Sequence, residues 1–135
     1  LSVKLANIAH PTGLILVTDA KSAMGLEDGK HSLGSMNVVK RGRCAKIIDT
    51  DTLAGSVVSM DDCLQSFKTF TECDLAEAIS KCTLNPHLLL RSTGVDCRKG
   101  IIAEGMDADF VLLNDNLQHK STWISGCCVY EKELN

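Results

Sequence analysis

No uninterrupted apolar run in this sequence approaches the roughly 18 residues that a membrane-spanning helix needs. The runs Leu14-Ile15-Leu16-Val17 and Phe110-Val111-Leu112-Leu113 are far too short. A basic excess is missing as well. Against 14 Lys and Arg stand 17 Asp and Glu, a formal charge of −3 with the two signs mixed along the chain. That leaves no face to neutralise a nucleic-acid backbone or to dock on an anionic membrane. The spacing of a structural zinc module is also absent. The seven cysteines, Cys44, Cys63, Cys73, Cys82, Cys97, Cys127 and Cys128, include no CxxC matched by a second Cys or His pair. Odd in number and scattered, they read as reduced, mostly buried thiols of a cytosolic protein. His10, His31, His87 and His119 form no HxH or HxxxH pair, so they read as surface or internally satisfied histidines. The start, Leu1-Ser2-Val3-Lys4-Leu5, has neither an initiator Met nor the features of a signal peptide, as expected of a chain entered in its middle.

What is present suffices for a folded domain: 135 residues, 44% of them apolar. Leu1, Leu5, Ile8 and Ala9 predict a short amphipathic helix that Pro11 and Gly13 end. Residues 14–17 then read as a strand covered on both faces, the pattern of a parallel sheet, with Thr18 and Asp19 at its C-terminal end. Over 25–48, glycines separate short apolar segments joined across Lys40-Arg41-Gly42-Arg43, a β-hairpin excursion.

Ser59 with Asp62, and Asp74 with Glu77, resemble capping boxes and predict two helices, the second breaking or kinking near Asn85-Pro86. Past residue 94 the pattern is strand-like, with Trp123-Ile124 facing Cys128-Val129-Tyr130 across a Ser125-Gly126 turn. One parallel strand cannot stand alone, so the neighbours of 14–17 are expected outside this sequence.

Asp19 is the first candidate for chemistry. Working residues of (β/α)8 barrels sit at the C-terminal ends of strands, although an Asp there commonly just caps the next turn, and spacing alone favours that plainer role. The second candidate is Thr52-Leu53-Ala54-Gly55-Ser56, where small residues let backbone approach a ligand; spacing alone favours an ordinary loop. Asp49, Asp51, Asp61 and Asp62 read as solvated helix-cap charge.

Three blocks, in order, resemble the N-acetylglucosamine-6-phosphate deacetylases of the amidohydrolase superfamily. The first is Val17-Thr18-Asp19-Ala20 with Gly25-Leu26, Gly29-Lys30-His31 and Leu33-Gly34. The second is Thr52 to Ser56 followed by Met60. The third is Asn85-Pro86, then Lys99-Gly100 and Gly105-Met106-Asp107-Ala108-Asp109. The Lys-Gly and Gly-x-Asp-Ala-Asp pattern argues for the superfamily, and the first two blocks narrow it.

The resemblance implies an α/β fold, the C-terminal portion of a (β/α)8 barrel over residues 1–93 plus C-terminal strands of a small β-sandwich domain over 94–135. It makes Asp19 the general base and acid of a metal-assisted amide hydrolysis and Leu53, Ala54 and Gly55 the lining of the substrate pocket. The cofactor implied is a divalent metal ion, often zinc, held by a Glu and two His upstream, with no metal ligand in this chain. The implied partner is a small amino-sugar phosphate, with no nucleic acid and no membrane, in a cytoplasmic enzyme for which a homodimer is one option.

A complete barrel takes about 250 residues, so this chain alone is expected to be inactive. Two other readings stay open. One is a non-catalytic truncated product acting as an interaction fragment, its strand edge at 14–17 prone to aggregate. The other is an amidohydrolase acting on a cyclic amide. His87 stands where the family has a small residue, which puts the packing of that turn in question.

Overall fold

A computed structural model describes residues 1–132. The described residues form two compact units, one of residues 17–63 and the other of 1–16 together with the described residues from 64 on.

The unit of residues 17–63 is built on an antiparallel meander of four strands, β1 (Gly29–Leu33), β2 (Met36–Arg41), β3 (Cys44–Ile47) and β4 (Leu53–Ser56). Gly34 and Gly42 sit at positive φ, 61° and 55°, where the β1–β2 and β2–β3 turns reverse the chain. On β2, Val38 and Lys40 face inward. The Lys40 ammonium reaches Asp28 Oδ1 at 2.9 Å, and both Asp28 oxygens accept the Gly42 N–H, so one carboxylate ties the lead-in of β1 to the β2–β3 turn. Ala23, Ala45 and Val57 form a small core against which Leu33 and Ala54 pack. The hairpin over 36–47 was legible in the sequence. Residues 52–56, read there as a loop, instead supply β4, because Ala45 and Lys46 of β3 pair with Gly55 and Leu53 around a bulge.

In the other unit, α1 (Ser2–Ala9) runs as expected and ends at His10. The helix α2 (Met60–Thr71) begins in the first unit, where Ser59 Oγ accepts the Asp62 N–H at 3.4 Å. It contributes Leu64 and Phe67 to a core with Ala78 and Leu117, flanked by Leu14, Leu16, Ile79 and Leu113. Asp74 caps α3 (Leu75–Ser80) by accepting the Glu77 N–H at 2.7 Å, the capping interaction that the i, i+3 spacing predicts. The break near Pro86 falls earlier than the sequence suggests. It occupies residues 81–83, and α4 (Leu84–Ser92) carries Pro86 in its first turn, where a missing N–H costs nothing. Three antiparallel strands complete the unit: β5 (Phe110–Leu113), β6 (His119–Ile124) and β7 (Cys127–Glu131). Ser125 and Gly126, both at positive φ, make the two-residue β6–β7 turn.

Two expectations are corrected. Residues 14–17 form no strand: among the described residues no neighbouring strand pairs with them, and the Leu16 N–H goes to the Lys81 carbonyl at 3.0 Å. A parallel strand needs partners on its edges, and apolar content does not replace them. The cysteines are not mostly buried either. All seven are free thiols, Cys44, Cys127 and Cys128 exposed and the rest half-buried. Cys127 and Cys128 share a strand in which every residue is exposed.

Candidate active site

Asp19 stands in the left-handed region at φ 43°, a conformation that L-residues avoid and Asp tolerates better than most. Thr18 Oγ1 accepts the Ala20 N–H at 3.3 Å and bends the chain around Asp19. Ala20 then makes an isolated parallel pairing with Ser56, and the Lys21 N–H donates to the Ser56 carbonyl at 2.8 Å. These contacts bring together the two segments singled out in the sequence, Asp19 and β4, which are more than thirty residues apart.

The Asp19 side chain is exposed, and among the described residues its carboxylate takes no hydrogen bond or ion pair. Of the three β4 residues, Leu53 is 61% exposed, Ala54 packs on the small core, and Gly55 holds φ 145°. The Lys21 stem lies across Gly55: a Cβ at Gly55 would stand 2.6 Å from Lys21 Cε. Lys21 was missed in the sequence; a cation two residues past the candidate acid was the available signal.

The α2 thiol, Cys63, is not an activated nucleophile. Burial, then the carboxylates of Asp62 and Asp61, push the Cys63 thiol up, and Arg43 only partly opposes them. The acids around β4 serve locally. Asp51 pairs with Lys46 at 2.9 Å, Asp62 with Arg43, and Asp61 accepts from the Ser59 hydroxyl.

No three His, Cys, Asp or Glu side chains among the described residues converge to hold a metal ion, so a divalent metal does not fit this set. The imidazoles have other work. His31 Nε2 lies 2.8 Å from the Glu27 carbonyl. His119 Nε2 lies 2.7 Å from Thr122 Oγ1, and its ring stacks on Tyr130. His87, 5% exposed, donates from Nδ1 to the Lys99 carbonyl at 2.7 Å, which resolves the packing of its helix turn.

The Lys99-Gly100 and Gly105 to Asp109 pattern is architectural. The Lys99 ammonium bridges Asp107, at 3.1 Å, and Asp109. Asp107 also holds Arg98, and Asp109 accepts the Ser125 N–H at 2.8 Å. Lys99 and the Ser125 N–H hold the Asp109 carboxyl below its usual range, and Asp109 and Asp107 in turn raise Lys99.

A buried polar cluster lies at residues 81–85. Lys81 Nζ reaches the Pro11 carbonyl at 2.7 Å, and Asn85 Nδ2 reaches the carbonyls of Pro11 and Leu14. The sequence reading gave neither side chain a role.

The chain resembles known proteins over nearly its whole length. It is 42% identical over 132 residues to an N-acetylglucosamine-6-phosphate deacetylase of Bos taurus, covering 98% of this chain and 32% of that protein. The crystal structure of an N-acetylglucosamine-6-phosphate deacetylase from Thermotoga maritima matches 96% of this chain and 35% of its own with a TM-score of 0.81 and 34% identity. A Mycobacterium smegmatis deacetylase solved in complex with N-acetyl-D-glucosamine-6-phosphate matches with a TM-score of 0.80 and 26% identity, over 95% of this chain and 33% of that one. The chain thus spans about a third of the length of the curated relatives it matches. The model of the amidohydrolase family matches residues 7–129, and the chain belongs to that family.

Proposed function

We propose that this chain is the C-terminal part of a deacetylase that hydrolyses the acetamide of N-acetyl-D-glucosamine 6-phosphate to D-glucosamine 6-phosphate and acetate. The observation that carries this reading is Asp19: an exposed, unpartnered carboxylate on left-handed backbone, held beside β4 by the Ala20–Ser56 pairing. A carboxylate in that state is free to take the proton of a water attacking the amide carbonyl. It can return that proton to the leaving nitrogen as the C–N bond breaks. Backbone strain at a polar residue is a feature of working sites, which argues in the same direction. Leu53, Ala54 and Gly55 line the substrate pocket, partly through backbone groups.

The relatives are about three times as long, and the described residues hold no metal-binding cluster. We therefore assign the divalent metal, zinc first, to a part of the enzyme that these residues do not contribute, and expect this chain alone to be inactive. In the same reading, residues 1–93 close a (β/α)8 barrel and 94–135 belong to a small β-sandwich domain. The partner is a small amino-sugar phosphate, and the enzyme is cytoplasmic, with a homodimer as its assembly. No helix among the described residues is long and apolar enough to cross a membrane.

The test is acetate release from N-acetylglucosamine 6-phosphate by the complete protein that carries this chain. Release at enzymatic rates supports the proposal. No release, with turnover of a cyclic amide instead, replaces it with the cyclic-amidohydrolase reading.

A further inference from the structure

Lys4, Lys40, Lys46, Lys81 and Lys99 each pair with a carboxylate. Lys21, like Lys30, Lys68, Lys120 and Lys132, makes no ion pair or side-chain hydrogen bond among the described residues, and what sets it apart is where it is held. Its backbone is fixed, since the Lys21 N–H donates to the Ser56 carbonyl at 2.8 Å. Its stem is placed as well. Cγ, Cδ and Cε lie 2.7, 3.2 and 2.6 Å from where a Gly55 Cβ would stand. In this position the stem uses the space that a side chain at position 55 would take.

An ammonium carried by a stem already laid along the β4 backbone has less rotamer freedom to lose on meeting an anion. It lies over the proposed pocket wall, two residues from the proposed catalytic carboxylate, yet it does not neutralise that carboxylate. We infer that Lys21 is a specificity-determining residue whose ammonium contacts the anionic substituent of the substrate, a phosphate monoester. This inference rests on the deacetylase reading.

The experiment compares the complete enzyme with its Lys21→Met, Lys21→Ala and Lys21→Arg variants on N-acetylglucosamine 6-phosphate and on unphosphorylated N-acetylglucosamine. Loss of a charge-assisted hydrogen bond is expected to raise KM for the phosphorylated substrate about tenfold or more in Lys21→Met and Lys21→Ala. The value of kcat should stay within about twofold, because the contact is present equally in ground and transition states. Lys21→Arg should recover most of the affinity, and the unphosphorylated substrate should be indifferent to all three changes.

Wild-type behaviour in Lys21→Met would show that the stem suffices and overturn the inference, as would equal losses on both substrates. Calorimetric binding of glucosamine 6-phosphate gives a readout without turnover. If wild type releases no acetate, the deacetylase reading fails. Weaker binding in Lys21→Met would then still uphold the contact with phosphate, and equal binding would refute it.

Discussion

Asn85 holds Leu14 in place: its Nδ2 donates at 2.7 Å to the Leu14 carbonyl and at 3.1 Å to that of Pro11. Asn85 is 5% exposed, so water cannot replace it. Pro11 keeps a second donor in Lys81 Nζ, whereas among the described residues the Leu14 carbonyl accepts from Asn85 alone. Asn85→Ala is expected to cost about 1–3 kcal/mol, the penalty of an orphaned acceptor. Asn85→Asp should cost at least as much, since an ionised carboxylate has no donor to offer the two carbonyls. Urea denaturation of the protein carrying this chain measures both.

Two left-handed glycines separate crowding from backbone strain. Gly100, at φ 93°, would place a Cβ 2.5 Å from the Thr83 carbonyl oxygen and 2.9 Å from His87 Cβ. Gly105, at φ 80°, opens onto free space. Gly105→Ala should therefore lose about 1 kcal/mol to strain alone. Gly100→Ala should lose about 3 kcal/mol or more, because backbone on the far side must move. Equal midpoints for the two variants in denaturant would contradict this.

Acid should weaken the molecule through Asp109 and Asp28. Lys99 and the Ser125 N–H lower the first carboxyl, and Lys40 and the Gly42 N–H lower the second. A group whose folded value lies below its unfolded one, about 3.9 for Asp, adds stability that is complete above that unfolded value. It is lost as pH falls through the folded value. Lys99 is raised, so its contribution is complete below about pH 10.4 and is lost as pH rises through the folded value. Melting temperature against pH should thus be level through neutrality and fall below about pH 4, with a shallower acid limb in Asp109→Asn.

Asp19→Asn should reduce kcat for acetate release by about 10²–10⁴, the usual worth of a positioned general base. The melting temperature should not change, because the carboxylate bonds to nothing among the described residues. Near-normal turnover would remove Asp19 from the mechanism.

The features legible in the sequence were those closed by near neighbours. Asp74 reaches Glu77 within one helical turn, and Ser125-Gly126 reverses a strand in two residues. What escaped depends on contacts between distant positions. Strand β4 exists because β3 pairs with it, and residues 14–17 lack strand form because nothing does. Asp19 and Leu53 to Gly55 were each visible as motifs. Their adjacency was not, since it rests on the Ala20–Ser56 pairing, and neither was Lys21, whose stem uses the space that a side chain at position 55 would take. The hold of buried Lys81 and Asn85 on Pro11 and Leu14 was unreadable for a related reason: it ends on main-chain carbonyls, which any sequence offers.

The loop from Gly100 to Ala108 is fastened at its two ends by Lys99 with Asp107 and Asp109, while Ile102 inside it is 92% exposed. Its ends are thus clasped by charge, and its middle is spared any packing duty. Closing a longer loop costs little once the ends are held. That makes the stretch around Ile102 a natural place to splice in a tag or a reporter, with the three-stranded sheet beyond it left in register.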